Sequence, residues 1–257
     1  MIIVNFEGRL GNQMFQYAFA LATAKRLKTT FNIHILHPNV YTFILEKYFD
    51  LPSYNFFWGR VLRSCFRKFG QPFFSTHEVS LMEMSRVEKL RNNIRFTRYF
   101  QSNLFFKDCV EVIKKEFTLA KKYVDEFNDI YKEVLEKNKI VVIHMRLTDY
   151  INNGWDLPIS YYKSCLDRIS NLEEYKVFVV SDDIDLAKKK IDYKGALHFQ
   201  ENSEIIDFQL LQHADIAIIP NSSFSWWAAY LNNKPNKVVL LQNIGWDLKR
   251  KKNSRWG

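Results

Sequence analysis

Short apolar segments alternate with helical segments throughout the second half of the chain, and this alternation constrains the fold more than any other feature. The principal apolar segments are KIVVIHM (139–145), YKVFVVS (175–181), DIAIIP (215–220) and KVVLLQ (237–242). Helical sequence lies between them, at 182–190, 204–213 and 223–232. Strands that are apolar along their whole length are typical of a parallel sheet covered by helices on both faces. The second half therefore predicts a Rossmann-like α/β unit.

The start of the chain shows the same pattern over a shorter stretch. The sequence predicts a buried strand, a glycine turn, a helix and a second strand, at 2–6, 8–11, 12–27 and 31–36. This succession opens a Rossmann-like unit. We therefore predict an α/β protein of two Rossmann-like domains that face each other across a cleft. The predicted domains are 1–136 and 137–257, and the elements between about 40 and 135 stay open.

The formal net charge of +9 is concentrated in two clusters that contain no acidic residue. Their members are Arg60, Arg63, Arg67 and Lys68 in the first cluster, and Lys249, Arg250, Lys251, Lys252 and Arg255 in the second. Such a cluster is either a solvated surface or a contact for an anionic partner. Because the sequence has no nucleic-acid motif, we do not expect a nucleic-acid partner. Peripheral contact with the inner face of the cell membrane is the alternative to a solvated surface.

Cysteine use and the first residues bear on the compartment. The three cysteines, Cys65, Cys109 and Cys165, are far apart and form no CxxC pair. This spacing argues against a disulfide framework or a zinc site and favours a reducing compartment. The chain enters its first strand without a charged leader, and no apolar run is long enough to span a bilayer. We therefore expect a cytoplasmic protein.

The first motif, HMRLTDY, follows the strand that opens the second half. Ligands of parallel sheets bind beyond the carboxyl ends of strands, and residues two apart on a strand share a face. His144 and Arg146 should therefore lie side by side, where Arg146 could grip a diphosphate with two hydrogen bonds. Asp149 could accept a proton or orient the two basic residues. The alternative is a buried His–Arg–Asp network that closes the strand end.

The second motif, NSSFSWWAAYLN at 221–232, follows the strand DIAIIP. Asn221 or Ser222 is a suitable N-cap, so a helix should begin here. The free N–H groups and the dipole of a helix N-terminus favour a phosphate, and the serine hydroxyls add donors. Trp226 and Trp227 could either line a pocket or pack against the sheet.

The third motif, EGRLGNQMFQYA at 7–18, lies between the first strand and the first helix. Gly8 and Gly11 allow a tight turn and close approach of a ligand to the backbone. The pattern is not GxGxxG, which argues against a dinucleotide site. Asn12 and Gln13 offer polar contacts at the start of the helix.

Together these motifs resemble the α-1,2-fucosyltransferases of glycosyltransferase family 11. The resemblance rests on GNQMFQY (11–17), on His-x-Arg (144–146), on Ser-Asp-Asp (181–183) and on the block at 221–232. It implies the two-domain GT-B architecture and inverting transfer of fucose from GDP-fucose to a glycan acceptor, without cofactor or metal. The expected acceptor group is the 2-hydroxyl of a galactoside. The family's second Arg is Leu147 here, so one cation of the motif is missing.

The resemblance also implies roles for individual residues. We expect Arg146, Asp149 and His144 to be catalytic, with Arg146 at the diphosphate. The expected donor-binding residues are Gly11, Asn12, Gln13, Ser181, Asp182, Asn221, Ser222, Ser223, Phe224 and Ser225. Tyr150 and Trp155 are expected to contact the acceptor. The N-terminal domain would lie on the acceptor side and the C-terminal domain would bind GDP-fucose, while the acceptor's identity and the oligomeric state stay open.

Two other interpretations remain. In a metal-dependent GT-A glycosyltransferase, Asp182, Asp183 and Asp185 would form the metal site. The same SDDID segment also suits the N-cap and acidic first turn of a helix. A non-catalytic basic binding module would instead use the two basic clusters.

Overall fold

The computed structural model describes residues 1–55, 75–77 and 94–242, and the chain divides into two compact units. The division falls between Ala120 and Lys121, earlier than the predicted boundary between residues 136 and 137. The difference arises because the helix Lys121–Lys137 packs within the second unit, where Gln209 donates to its Tyr123 carbonyl. Both predicted basic clusters lie outside the described residues.

The first unit contains a parallel four-stranded sheet in the order β2-β1-β4-β3. Its strands are β1 (Ile2–Phe6), β2 (Phe31–Ile35), β3 (Ser75–His77) and β4 (Ile94–Thr97). Its helices are α1 (Leu10–Arg26), α2 (Leu45–Tyr48), α3 (Pro52–Asn55) and α4 (Val110–Glu116), with a 3₁₀ turn at Asn103–Phe105. The predicted first strand, helix and second strand are therefore present.

Aromatic side chains of α1 build the core of this unit. Phe19 stacks on Phe100 with ring centroids 3.8 Å apart and meets Phe96 of β4 edge-on at 5.1 Å. Tyr17 packs against Phe31 at 5.5 Å. These rings are buried, so the aromatic residues of this segment serve packing.

The second unit contains a parallel five-stranded sheet in the order β7-β6-β5-β8-β9. Its strands are β5 (Lys139–Met145), β6 (Tyr175–Ser181), β7 (Leu197–Phe199), β8 (Ile216–Ile219) and β9 (Val238–Leu241). Its helices are α5 (Lys121–Lys137), α6 (Thr148–Asn153), α7 (Ile159–Asp167), α8 (Ile184–Lys190), α9 (Glu204–Gln212) and α10 (Ser223–Leu231), with a 3₁₀ turn at Leu172–Glu174. Both units are thus Rossmann-like, as predicted.

The strand order of the second unit places a topological switch point between β5 and β8. From the central strand β5 the chain moves outward through β6 and β7 and then crosses to β8 on the other side. The loops that leave β5 and β8 at their carboxyl ends therefore run to opposite sides. This divergence opens a crevice of the kind in which open α/β sheets bind ligands.

Helices cover both faces of this sheet. On one face, Val141, Ile143 and Met145 of β5 belong to a buried cluster that includes Tyr162 and Leu166 of α7. On the other face, Tyr131 of α5 meets Phe178 of β6 at 5.9 Å. Burial on both faces explains why the strands are apolar throughout. Across the described ranges, every helix is too short or too polar to cross a bilayer.

Candidate active site

Three polar segments of the second unit follow three neighbouring strands at the same edge of the sheet. Met145 of β5 is in register with Ser181 of β6, and Ile143 of β5 is in register with Ile218 of β8. The segments 146–150, 181–183 and 221–225 lie at the carboxyl ends of these strands. The structure therefore brings two predicted motifs and the Ser-Asp-Asp segment together at the switch point.

Arg146 is held by two carboxylates. Its Nε and Nη2 each lie 2.8 Å from Oδ1 of Asp149, and Nε lies 3.2 Å from Oδ2 of Asp182. The Arg146 side chain is 15% exposed, and its guanidinium lies 5.8 Å from the ring centre of Tyr150. These contacts use one edge of the planar guanidinium, which carries five N–H donors. The two carboxylates therefore hold the Arg146 guanidinium in one orientation beside the crevice.

Asp182 accepts hydrogen bonds from the segment that follows β5. Its Oδ1 accepts from the Leu147 amide at 2.8 Å, and its Oδ2 accepts from the Thr148 hydroxyl. Burial raises the pKa of Asp182, but these two hydrogen bonds and the Arg146 charge outweigh burial, so the pKa lies below its usual value. Asp182 is therefore an anion that ties β6 to the turn after β5.

His144 is buried beside Arg146. Its side chain is 4% exposed, and Nδ1 has no hydrogen-bond partner among the described residues. The imidazole ring packs against Phe224 of α10 at 5.4 Å. Burial, reinforced by the Arg146 charge, lowers the pKa of His144 to about 3. The ring is therefore neutral near pH 7 and presents an uncharged polar atom inside the site.

The start of α10 supplies backbone donors at the switch point. Ser222 is the N-cap residue, but its side chain makes no capping hydrogen bond. The Ser222 carbonyl accepts from the Trp226 amide at 2.9 Å and from the Ser225 hydroxyl at 3.3 Å. A helix start leaves its first N–H groups without intrahelical partners, and these favour an anion. The buried Ser225 hydroxyl is turned to its own helix and is not presented to a ligand.

The two tryptophans of this helix serve packing. Trp227 is fully buried, and Trp226 stacks on Tyr230 at 4.8 Å. Phe224, which we predicted to bind the donor, packs between His144 and Phe208, the latter at 5.5 Å. The aromatic side chains of the motif therefore pack behind the helix start, which the backbone of 222–225 forms.

Tyr150 and Trp155 have different surroundings. The Tyr150 side chain is 7% exposed, and its hydroxyl donates to the Asn221 carbonyl at 2.6 Å. The hydroxyl proton is thus used within the chain, and the contact of Tyr150 with an acceptor stays a prediction. Trp155 packs edge-on against Tyr150 at 5.9 Å and remains 39% exposed. Only Trp155 of this pair presents an aromatic surface to solvent.

The three aspartates of the SDDID segment point to different partners. Asp182 binds the turn after β5, as described above. Asp183 caps α8 by accepting from the Leu186 amide at 2.9 Å, and its own amide donates to the Ser181 hydroxyl at 3.1 Å. Asp185 lies 3.6 Å from Lys188 on the helix surface. Within the described ranges, His, Cys, Asp and Glu form no group suited to a metal ion. Asp183 is thus the N-cap residue of α8, and Asp185 lies in its first turn.

The Gly-Asn-Gln motif lies in the first unit, at the start of α1. Gly8 has a φ of +79°, and a Cβ there would come within 2.6 Å of Nδ2 of Asn12, so only glycine fits. Oδ1 of Asn12 accepts from Gln101 at 2.8 Å. Asn12 is partly exposed, whereas Gly11 is buried within the helix.

Gln13, a predicted donor-binding residue, is engaged by the backbone of its own unit. Its side chain is 1% exposed, and its Nε2 donates to the carbonyls of Gly8 and Thr42 at 3.1 and 2.8 Å. Its Oε1 accepts from the Ile44 amide at 3.0 Å. The amide thus joins the loops that follow β1 and β2, and both of its N–H donors are used within the chain.

Sequence reasoning missed a polar network after β7. Asn202 donates to Asp207 of α9 at 3.0 Å and to the Tyr131 hydroxyl at 2.7 Å. Burial raises the pKa of Asp207 to about 7. The available signal was an acid between apolar neighbours in the sequence EIIDFQLL, since a carboxylate at a buried helical position must find partners.

Comparison with known proteins finds glycosyltransferases that are similar to this chain over most of its length. The alpha-1,2-colitosyltransferase of Escherichia coli is 27% identical over 268 residues, which cover 91% of this chain and 88% of that protein. The galactoside 2-alpha-L-fucosyltransferase Sec1 of Mus musculus is 29% identical over 262 residues, which cover 95% of this chain and 67% of that protein.

The solved structure of POFUT1 in complex with GDP matches with a TM-score of 0.58 at 14% identity, covering 93% of this chain and 97% of that chain. At this identity the likeness concerns the fold alone, and it confirms the predicted GT-B type. The family model of glycosyl transferase family 11 matches residues 65–255, which is well over half of the sequence. The predicted glycosyltransferase is confirmed, and the chain belongs to glycosyl transferase family 11.

Proposed function

We propose that this protein transfers L-fucose from GDP-β-L-fucose to the 2-hydroxyl of a galactoside in a glycan acceptor, with inversion at the anomeric carbon. The proposal rests on the position of Arg146, whose side chain Asp149 and Asp182 orient at the switch point between β5 and β8. The names of the two relatives support the linkage, since one is an α-1,2-transferase and the other a 2-α-L-fucosyltransferase.

Charge development at the leaving group explains why a cation belongs at this place. When the bond between the fucose anomeric carbon and the phosphate oxygen breaks, the GDP leaving group gains negative charge. Arg146 and the first amides of α10 can stabilise that charge more strongly in the transition state than in the bound substrate. We therefore assign the diphosphate to Arg146 and to the backbone amides at the start of α10, Ser223–Ser225.

Inversion requires the acceptor oxygen to attack the anomeric carbon on the face opposite GDP. The new bond forms as the bond to phosphate breaks, and the acceptor hydroxyl proton passes to a base. We assign this role to Asp149, whose side chain is 42% exposed and so can meet an incoming hydroxyl. His144 suits it less, because it is buried and its pKa of about 3 makes it a weak base. We instead place His144 among the groups that contact the donor.

Acceptor contacts are proposed for one exposed aromatic side chain and for the first unit. An exposed aromatic ring can pack against the apolar face of a sugar, so we propose that Trp155 contacts the acceptor. We assign the donor nucleotide to the second unit and further acceptor contacts to the first unit.

The C-terminal basic cluster suggests attachment to a membrane surface that carries the acceptor. Each cation near an anionic leaflet contributes about 1 kcal/mol of binding, so the five cations of 249–255 are enough for weak attachment. A chain truncated after Asp247 should bind anionic vesicles more weakly and keep its turnover on a soluble galactoside. Equal vesicle binding by both chains would contradict this assignment.

Transfer from defined donors tests the proposed function. The purified protein is incubated with a β-galactoside disaccharide and GDP-fucose, GDP-colitose or UDP-galactose, and the product linkage is determined by NMR. We expect GDP release and an α-1,2-fucosylated product from GDP-fucose, with Arg146→Ala as the inactive control. No fucosylated product, or transfer from UDP-galactose alone, would contradict the proposal. Preferred use of GDP-colitose would replace fucose as the sugar while keeping the site assignment.

A further inference from the structure

We propose that Asp182 is the positioning residue of this active site, which holds the guanidinium of Arg146 and the turn after β5 in the orientation needed for transfer. The inference rests on the proposed function, because it concerns how Arg146 meets the donor diphosphate. It assigns Asp182 to the support of Arg146 and not to direct contact with the donor.

Both carboxylate oxygens of Asp182 are engaged by the segment that follows β5. Oδ1 accepts from the Leu147 amide at 2.8 Å, while Oδ2 accepts from the Thr148 hydroxyl and lies 3.2 Å from Nε of Arg146. The Asp182 side chain is 15% exposed, so water competes little for these contacts. Three consecutive residues are thus tied to one carboxylate on the neighbouring strand.

Asp182 itself lies on a well-supported part of the second unit. It directly follows β6, whose last residue Ser181 is in register with Met145 of β5. The next residue, Asp183, donates its amide to the Ser181 hydroxyl and caps α8 with its side chain. The carboxylate is therefore held between the end of a central strand and the start of a helix. A carboxylate held in this way can fix the direction of the Arg146 guanidinium.

Asp149, the second carboxylate on Arg146, cannot do this equally well. It lies three residues after Arg146 on the same segment, in the six-residue helix α6, and its side chain is 42% exposed. It therefore moves together with Arg146, whereas Asp182 belongs to another strand. When a diphosphate approaches Arg146, the exposed Asp149 can give way to it while Asp182 stays in place.

Leu147 strengthens the same anchoring. The resemblance places an Arg of the family at this position, but the Leu147 side chain is 2% exposed and belongs to the core cluster of the second unit. Its amide is bound by Asp182. The turn is therefore anchored by an apolar side chain on one side and by a carboxylate on the other. With one Arg in the motif instead of two, Arg146 is the single guanidinium of the motif that can meet the diphosphate.

Asp182→Asn tests this role because it keeps the size of the side chain and removes its charge. The Asn side chain replaces one acceptor oxygen by an NH2 group, which would meet donors that need an acceptor, so the guanidinium and Thr148 should shift. A displacement of reacting groups by about 1 Å costs roughly a hundredfold in rate, and we expect kcat to fall by about that factor. The KM for GDP-fucose should change by less than about tenfold, and Asp182→Glu should recover part of the loss because it restores the charge. Asp185→Asn, on the exposed face of α8, is the matched control and should keep wild-type turnover.

A double-mutant cycle with Arg146→Ala separates positioning from a general effect on folding. If Asp182 acts through Arg146, Asp182→Asn should cost less than about threefold in the Arg146→Ala background. A loss of equal size in both backgrounds would overturn the proposal. Should Asp182→Asn fail to fold, Thr148→Ala removes one donor to Asp182 and is carried through the same cycle with the same criterion. If the wild-type protein binds GDP but does not transfer fucose, the proposed function fails, and the cycle is then measured on GDP affinity.

Discussion

The Tyr150 hydroxyl donates a 2.6 Å hydrogen bond to the backbone carbonyl of Asn221, and this contact joins the segment after β5 to the start of α10. The same ring lies beneath the guanidinium of Arg146. The side chain that supports the cation therefore also holds the helix start that would share the diphosphate. The two halves of the proposed donor site are positioned together across the switch point.

Tyr150→Phe should weaken donor binding without dismantling the site. The variant keeps the ring beneath Arg146 and loses one hydrogen bond, which contributes about 1 kcal/mol or roughly a fivefold change in an equilibrium constant. We expect the KM for GDP-fucose to rise by about that factor while kcat changes little. Steady-state kinetics measure both, and Tyr193→Phe, which loses a hydrogen bond to Asp167 on the surface, is the control. An unchanged KM would show that the contact does not position the helix start.

Asp149→Asn should remove general-base catalysis. We expect turnover to fall by about 100-fold or more and the remaining rate to lose the pH dependence that a carboxylate base imposes. His144→Gln is the comparison, because a ring that is neutral throughout the range near pH 7 adds no titration there. Its pH profile should match that of the wild-type protein. If Asp149→Asn keeps the wild-type pH dependence, Asp149 only orients Arg146.

Asp207 should make the stability of the protein depend on pH. Burial raises its pKa to about 7 in the folded state, whereas an Asp in the unfolded chain titrates near about 3.9. Between these values the folded state binds the additional proton, so the free energy of unfolding falls as pH rises from about 4 to about 7. Above that range the contribution is lost. Its full size would be about 4 kcal/mol as an upper bound.

Urea unfolding of the wild-type protein and Asp207→Asn between pH 5 and 8 measures this dependence. The amide does not titrate and can still bond Asn202, so the variant should lose less stability across this range than the wild-type protein. Parallel curves would show that Asp207 titrates normally. The neighbouring Glu204 also raises the pKa of Asp207, so Glu204→Gln should lower it slightly.

The fold could be predicted where strands are apolar along their whole length. The predicted ranges of β5 and β6 agree with the structure because both strands are buried on both faces. By contrast, β3 and β4 have three and four residues, and the sequence IRFT carries no such signal. Their place in the sheet comes from pairing with β1 and with each other, which no local pattern reveals.

The site could be predicted to the level of motifs but not of contacts. The pairing of Arg146 with Asp149 follows from a spacing of three residues, whereas the contact of Asp182 with Leu147 depends on the register of β5 with β6. The engagement of Gln13 by Thr42 and Ile44 depends on a loop that returns to the helix start. Side chains therefore had predictable neighbours within a segment, while contacts between segments required the tertiary structure.

Turnover of Arg146 variants at saturating GDP-fucose measures directly whether this guanidinium stabilises the leaving GDP. We expect folded Arg146→Ala to lose about a hundred- to a thousandfold in turnover, the usual cost of removing one donor to a developing charge. Arg146→Lys should recover little, because an ammonium lacks the planar fork that grips two oxygens and cannot keep both Asp149 and Asp182 engaged. Circular dichroism confirms that each variant is folded. A folded Arg146→Ala protein that retains more than about a tenth of wild-type turnover would contradict the account.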